Sequence, residues 1–170
     1  LQNRDPGKDY FIEVIPGADY TNVVRPRSTP LFTRFETIGG SRDVWTTFGS
    51  DQIDLNFSNP EVLLEMIRIM IFYISHGIRI IRLDAIAFLW KQPGTTSLDL
   101  SETHEIVKLF RDIATYVCPG ALILTETNVP NRENWSYFGN HDEAHMVYQF
   151  SLPPLLLHAL DHVDAVGNTM

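Results

Sequence analysis

Arg82 and Asp84 flank a leucine at the end of an isoleucine-rich run, IRIIRLDA, and Glu126 closes a second apolar run, ALILTE. Charges are costly inside a buried strand. They make sense where a strand delivers them to a pocket. Side chains two apart on a strand share a face, so Arg82 and Asp84 point the same way. Asp84 and Glu126 lie 42 positions apart, about one strand–helix–strand step. Successive parallel strands run in one direction, so both carboxylates are expected on one rim. That rim carries the active site in α/β barrels and the ligand crevice in open sheets. Two carboxylates there suit cleavage of a glycosidic bond: one, ionised, attacks the sugar carbon, and the other protonates the leaving oxygen. Arg82 would keep Asp84 ionised by lowering its pKa. Glu126 has no basic neighbour in sequence before Arg132. It is expected in a drier place, with a pKa raised toward that of an acid catalyst. The alternative is structural: an Arg82–Asp84 ion pair at a strand end, with Glu126 capping a turn.

The elements that must hold these residues follow from period and punctuation. SNPEVLLEMIRIMIFYISHG predicts a helix capped by Ser58 or Asn59, with Pro60 in its first turn and Gly77 at its end. Apolar residues cover most of its circumference, which predicts burial on more than one side. IRIIRLDA follows as a strand, and residues 92–100 as a polar loop. SETHEIVKLFRDIATYV predicts the next helix, with Asp99 or Ser101 near its cap and Pro119-Gly120 as its stop. ALILTE is a second short strand. Residues 129–144 read as a loop with a helical turn, MVYQF as a third strand, and LPPLLLHAL as the start of another helix. This alternation predicts an α/β fold of parallel strands with crossover helices. An open sheet and a barrel arc both satisfy it. Residues 1–50 are broken by proline and glycine and form a helix-poor segment apart from residues 51–170. FIEVI and VWTTF are its expected small strands.

The 170 residues suffice for one domain with a core. A formal charge of −8 argues against a nucleic-acid groove. The apolar stretch from Val62 to Ile74 is interrupted by Glu65 and Arg68 and is shorter than the ~20 residues of a membrane span. LQNRDPGKDY lacks a secretory signal pattern. Cys118 is the only cysteine, so no internal disulfide forms, in keeping with a reducing, cytoplasmic compartment. Leu1 in place of a methionine points to an excised piece. DEAH at 142–145 spells a helicase box, but no phosphate loop accompanies it. HDEAH matches neither zinc-helix pattern, so no metal site is expected, and His141 and His145 read as loop residues. His104 reads as a surface or capping residue. Trp90-Lys91 follows the first strand and either lines the pocket or packs. Tyr137-Phe138 either offers a sugar platform or anchors its loop.

GIRIIRLDAIAF resembles the strand-four motif of the α-amylase superfamily, and LILTETN its strand-five motif. RPRSTPL, VWTTFGSDQIDLNF, WKQPGTT, THEIVKL and DEAHMVYQFSLPPLLLHAL resemble, in order, the branch that contains sucrose phosphorylase. The resemblance runs from about residue 11 to about residue 160 of the sequence. It implies part of a (β/α)8 barrel, roughly strands four to six, with residues 1–50 mostly an insertion after strand three. By motif position Asp84 would be the nucleophile that forms a covalent glucosyl–enzyme, Glu126 the general acid and base, and Arg82 the group that orients Asp84 and contacts the sugar. Asn128 would lie on the acceptor side of the pocket; it and, from their places after the strands, Trp90 and Tyr137 are the candidate substrate-binding residues. Inorganic phosphate would be the co-substrate, giving glucose 1-phosphate, with no metal or organic cofactor. The implied partners are a small carbohydrate and phosphate, without nucleic acid or membrane. A homo-oligomer is possible, above all for a fragment. The family commonly has histidine where Asn128 stands, so the sequence also resembles relatives with other acceptors: glucosylglycerate and sucrose-phosphate phosphorylases. A hydrolase or transglycosidase of the same fold, and a non-catalytic fragment, are the alternatives. A complete barrel needs ~250 residues, and the family's earlier Asp and His motif and its later His-Asp motif are absent. Asp142, in NHD, falls too soon after Glu126 to replace the later acid.

Overall fold

A computed structural model describes residues 9–167. The first eight residues of the helix-poor segment lie outside the described residues, as do the last three of the chain.

The N-terminal segment holds an antiparallel hairpin, β1 (Phe32–Thr37) and β2 (Gly40–Trp45). Phe32 faces Trp45 and Thr37 faces Gly40 across it. The turn needs a left-handed residue, which Gly40 supplies at φ +107°. The expected pairing of FIEVI with VWTTF is only partly present. Glu13 bridges Val44 and Phe11 bridges Leu55, but the full partner of β2 is FTRFET. Arg34 and Glu36 interrupt the apolar alternation of β1, and ion pairing of Arg34 with Asp43 across the hairpin replaces apolar burial.

Helix α1 (Pro60–Ser75) begins where Asn59 accepts a hydrogen bond from the Glu61 N–H at 3.0 Å. It stops at Gly77, φ +95°. Strand β3 (Ile80–Leu83) follows, then a 3-10 turn (Ile86–Phe88) and helix α2 (Ser101–Val117). The residue before α2 is Leu100, and no side chain caps the helix. Asp99 turns instead toward His104. Strand β4 (Leu122–Thr125), the short helix α3 (Asn131–Ser136), strand β5 (Met146–Val147) and helix α4 (Leu152–Gly167) complete the order.

Strands β3, β4 and β5 form one parallel sheet in that order. Ile80 pairs with Leu122 and Leu83 with Thr125, and Leu124 pairs with Met146. Its helix-facing side is the core. There Ile123 and Ala121 pack with Met70 and Ile74 of α1 and with Ile106, Phe110 and Ala114 of α2. Full burial of such side chains contributes roughly 1.5–3 kcal/mol each. The pleat sends alternate residues to the other face. There Ile80 is 53% exposed, and Arg82 and Asp84 are exposed as well. Among the described residues β3 is thus an edge strand covered on one face only, not the buried strand its isoleucines suggest. α1 departs from expectation in the same way. It buries Val62, Met70 and Ile74 but leaves Leu64, Ile69, Phe72 and Tyr73 exposed, so one flank is covered among the described residues.

Candidate active site

The parallel register that pairs Ile80 with Leu122 carries Asp84 and Glu126 out of the sheet side by side. The Glu126 N–H donates to the Leu83 carbonyl at 3.0 Å, holding the two strand ends together. Ala85 then takes a left-handed conformation, φ +47°, which strains a residue with a β-carbon. That turn aims the Ala85 N–H at Glu126 Oε2, 2.8 Å away. Arg82 Nη2 lies 2.8 Å from Asp84 Oδ1 and 3.9 Å from Glu126 Oε2. One nitrogen thus reaches both acids, so their oxygens are separated by no more than those two distances laid end to end. The arginine stands over the Tyr148 ring, 5.2 Å from ring centre to guanidinium carbon. Desolvation works against its charge, but Asp84, Tyr148 and Glu126 outweigh it and hold Arg82 above the usual arginine range.

The two acids have different surroundings. The Asp84 side chain is 73% exposed and that of Glu126 18%. Glu126 borders a cavity of about 490 Å³ with Asn128, Arg27, Phe48, Phe88 and Phe150. That volume suits a small ligand. Phe48 and Phe88 meet edge to face, centroids 5.3 Å apart. Two carboxylates, a guanidinium and aromatic walls can bind a sugar ring, present a nucleophile to its anomeric carbon and exchange a proton with the departing oxygen.

Arg82, Asp84 and Glu126 therefore converge, and Asn128 joins Glu126 at the cavity. Trp90 does not. It packs against the main core and lines a separate cavity of about 570 Å³, beside Tyr20 and Arg42. Tyr137 is fully buried and stacks on His104, centroids 4.5 Å apart, so its ring has no open face for a sugar. Burial, with Asp99 and Glu143 nearby, pushes its hydroxyl pKa up. His104 is no surface or capping residue. Its Nδ1 bonds Glu143 Oε2 at 2.7 Å and its Nε2 lies 3.4 Å from Asp99 Oδ1. The Asp99 bond first, then the Glu143 bond, raise its pKa to about 9. His145 Nδ1 accepts the Ile123 N–H at 3.0 Å and extends the link between β4 and the chain entering β5.

Arg27, Phe48 and Phe88 escaped sequence reasoning about the site. Arg27 and Phe48 come from the helix-poor segment, far from the acids in sequence, and Phe88 reads as core. A pair of arginines around Pro26 in a polar stretch was the available signal.

The Alpha amylase, catalytic domain family matches residues 3–164. The chain is 58% identical over 164 residues to the glucosylglycerate phosphorylase of Spirochaeta thermophila, covering 96% of this chain and 28% of that protein. It is 52% identical over 162 residues to the glucosylglycerate phosphorylase of Escherichia coli, covering 94% and 29%. Among solved structures, the sucrose 6F-phosphate phosphorylase from Thermoanaerobacter thermosaccharolyticum superposes with a TM-score of 0.75 at 24% identity, covering 91% of this chain and 33% of that one. That likeness concerns the fold. The chain spans about 28–30% of the length of the glucosylglycerate phosphorylases it matches.

Proposed function

Because the chain belongs to the alpha-amylase catalytic domain family, we propose that it is the central portion of a retaining α-glucoside phosphorylase. In this reading β3, β4 and β5 are strands four to six of a (β/α)8 barrel, and residues 1–50 are the insertion before them. The observation that supports it most directly is the single Arg82 nitrogen within reach of both Asp84 and Glu126, the second of which lines a cavity. Retaining glycosidases hold their carboxyl groups ~5–5.5 Å apart, within the limit those two contacts set.

An Asp84 oxygen attacks the anomeric carbon and the glycosidic C–O bond breaks. The departing oxygen takes the proton of Glu126, leaving a glucosyl ester on Asp84. Glu126, now a carboxylate, removes a proton from phosphate as a phosphate oxygen attacks the same carbon and frees Asp84. Two inversions give α-glucose 1-phosphate. Arg82, 2.8 Å from Asp84 Oδ1, holds Asp84 oriented throughout. Phosphate is the co-substrate, and the reaction as written uses no organic cofactor or metal.

Glucosylglycerate is the proposed donor. Relatives that bear that activity in their names are 51–58% identical here, and Asn128 stands where sucrose phosphorylases commonly carry histidine. Arg27 brings positive charge to the cavity wall, suited to a phosphate or to the glycerate carboxylate. The lone Cys118 accords with a cytoplasmic site for the reaction.

The test is a product assay on the full-length polypeptide. Glucosylglycerate and sucrose are each supplied with and without phosphate. Phosphate-dependent glucose 1-phosphate from glucosylglycerate is expected. Free glucose formed equally without phosphate would make the protein a hydrolase and overturn the proposal.

A further inference from the structure

Behind the acids lies a buried side chain that the reaction as written does not use. Asn134 in α3 is 2% exposed, and its amide is spent on two bonds. Its Oδ1 accepts from the Thr127 hydroxyl, and its Nδ2 donates to the Tyr148 carbonyl at 2.7 Å. Thr127, itself 2% exposed, is the residue after Glu126. Tyr148 carries the ring under the Arg82 guanidinium, and its own N–H donates to the Thr125 carbonyl at 3.0 Å. One amide therefore joins the two segments that place the reacting groups: the turn that follows the acid and the platform of the arginine. β5 has only two residues, so few ladder bonds hold Tyr148 in place.

We propose that Asn134 is a positioning residue for glucosyl transfer, holding Tyr148 under Arg82 and Thr127 beside Glu126 so that the guanidinium spans both carboxylates. The inference rests on the reaction proposed above. Without the amide, the Thr127 hydroxyl is left unpaired in a buried setting and the Tyr148 carbonyl in a half-buried one, which favours their displacement. A displacement of about 1 Å at reacting groups is enough for a roughly 100-fold loss of rate.

Asn134→Leu in the full-length polypeptide keeps the volume and removes both bonds. Its kcat/KM is expected to fall about 100-fold, mainly through kcat. Tyr148→Ala alone should cost about tenfold by withdrawing the platform. If Asn134 acts through Tyr148, the double variant loses clearly less than the product of the two single losses. Losses that simply multiply would overturn the proposal, as would an unchanged kcat/KM in folded Asn134→Leu. Asn134→Ser and Thr127→Val carry the same comparison should the leucine variant fail to fold. A readout free of turnover is the Arg82 Nε–H proton resonance, shifted upfield by the Tyr148 ring. In Asn134→Leu it should move toward its Tyr148→Ala position, and a resonance that stays put would sink the inference. Wild-type protein that makes no glucose 1-phosphate would instead sink the phosphorylase reading, and the resonance comparison would still decide the role of Asn134.

Discussion

Asp84 and Glu126 are the same kind of acid in two settings. Asp84 reaches into solvent against Arg82, while Glu126 is largely enclosed and takes the Ala85 N–H. The difference supports the proposed roles, attack by the first and proton transfer by the second. In the full-length polypeptide, Asp84→Ala is expected to lower turnover by about 10⁴-fold or more and to abolish the glucosyl adduct. Mass spectrometry of acid-quenched enzyme checks this, and normal turnover would refute the role. Glu126→Gln should cost about 10²–10⁴-fold on the natural glucoside. The variant should still be glucosylated by α-glucosyl fluoride, whose leaving group needs little protonation. Equal losses on both substrates would remove Glu126 from the acid role. These residues were legible because charge at the end of an apolar run has few structural explanations. Tyr137 was not, since an aromatic pair in a loop reads alike as platform and as anchor until its burial is known.

Two charged clusters join elements that sequence keeps apart. His104 of α2 lies between Asp99 and Glu143, against the Tyr137 ring, and Arg111 donates to the Glu143 carbonyl at 2.8 Å. A carboxylate facing each ring nitrogen favours the imidazolium. Its folded pKa, about 9, lies above the ordinary value of 6.5. The stabilisation is therefore complete below about pH 6.5 and disappears as pH rises through about 9. The melting temperature of the full-length protein should exceed that of His104→Gln most at pH 6 and converge with it above pH 9. A gap that does not change with pH would refute this.

The second cluster ties the N-terminal segment to the turn after β3. Lys91, nearly buried, pairs with Asp54 at 2.9 Å and donates to the Phe88 carbonyl. Burial lowers its pKa against the pull of Asp54. Asp54 in turn accepts from the Thr47 N–H at 2.6 Å. Lys91→Met strands the Asp54 charge and should destabilise by about 3–5 kcal/mol, while Lys91→Met with Asp54→Asn should recover most of it. Denaturant unfolding measures both, and equal loss in the two would contradict the pairing. Helices, strands and their order were readable from period and from Asn59, Pro60 and Gly77. The β1–β2 hairpin was not, because an apolar alternation broken by Arg34 and Glu36 hides a strand stabilised by cross-strand charge.

The molecule as a whole leaves large apolar surfaces open. Leu152, Leu155, Leu156, Leu157 and Leu160 of α4 are 55–63% exposed, and α1 adds Leu64, Phe72 and Tyr73. So many exposed large apolar side chains on two helices suit interfaces rather than a free surface. The sheet face that carries Arg82 and Asp84 is open too, and among the described residues β3 has an unpaired edge. The 170 residues produced alone are expected to self-associate and to show little or no glucosyl transfer. Light scattering checks the first: a clean mass of 19.4 kDa at high concentration would count against it. Robust turnover by the isolated chain would contradict the second.

Sequence alone settled the local facts: where α1, α2 and the parallel strands lie, and that Arg82, Asp84 and Glu126 leave strand ends in one direction. Period, caps and a 42-residue register suffice for that, since each is decided by neighbours along the chain or by one repeated step. Tertiary structure decided which side chains meet. It withdrew Trp90 and Tyr137 from the acids, brought Arg27 and Phe48 to the cavity that Glu126 lines, and placed His104 between Asp99 and Glu143. Such meetings join residues tens of positions apart, and the packing that selects one partner among many leaves no periodic trace in the order of residues.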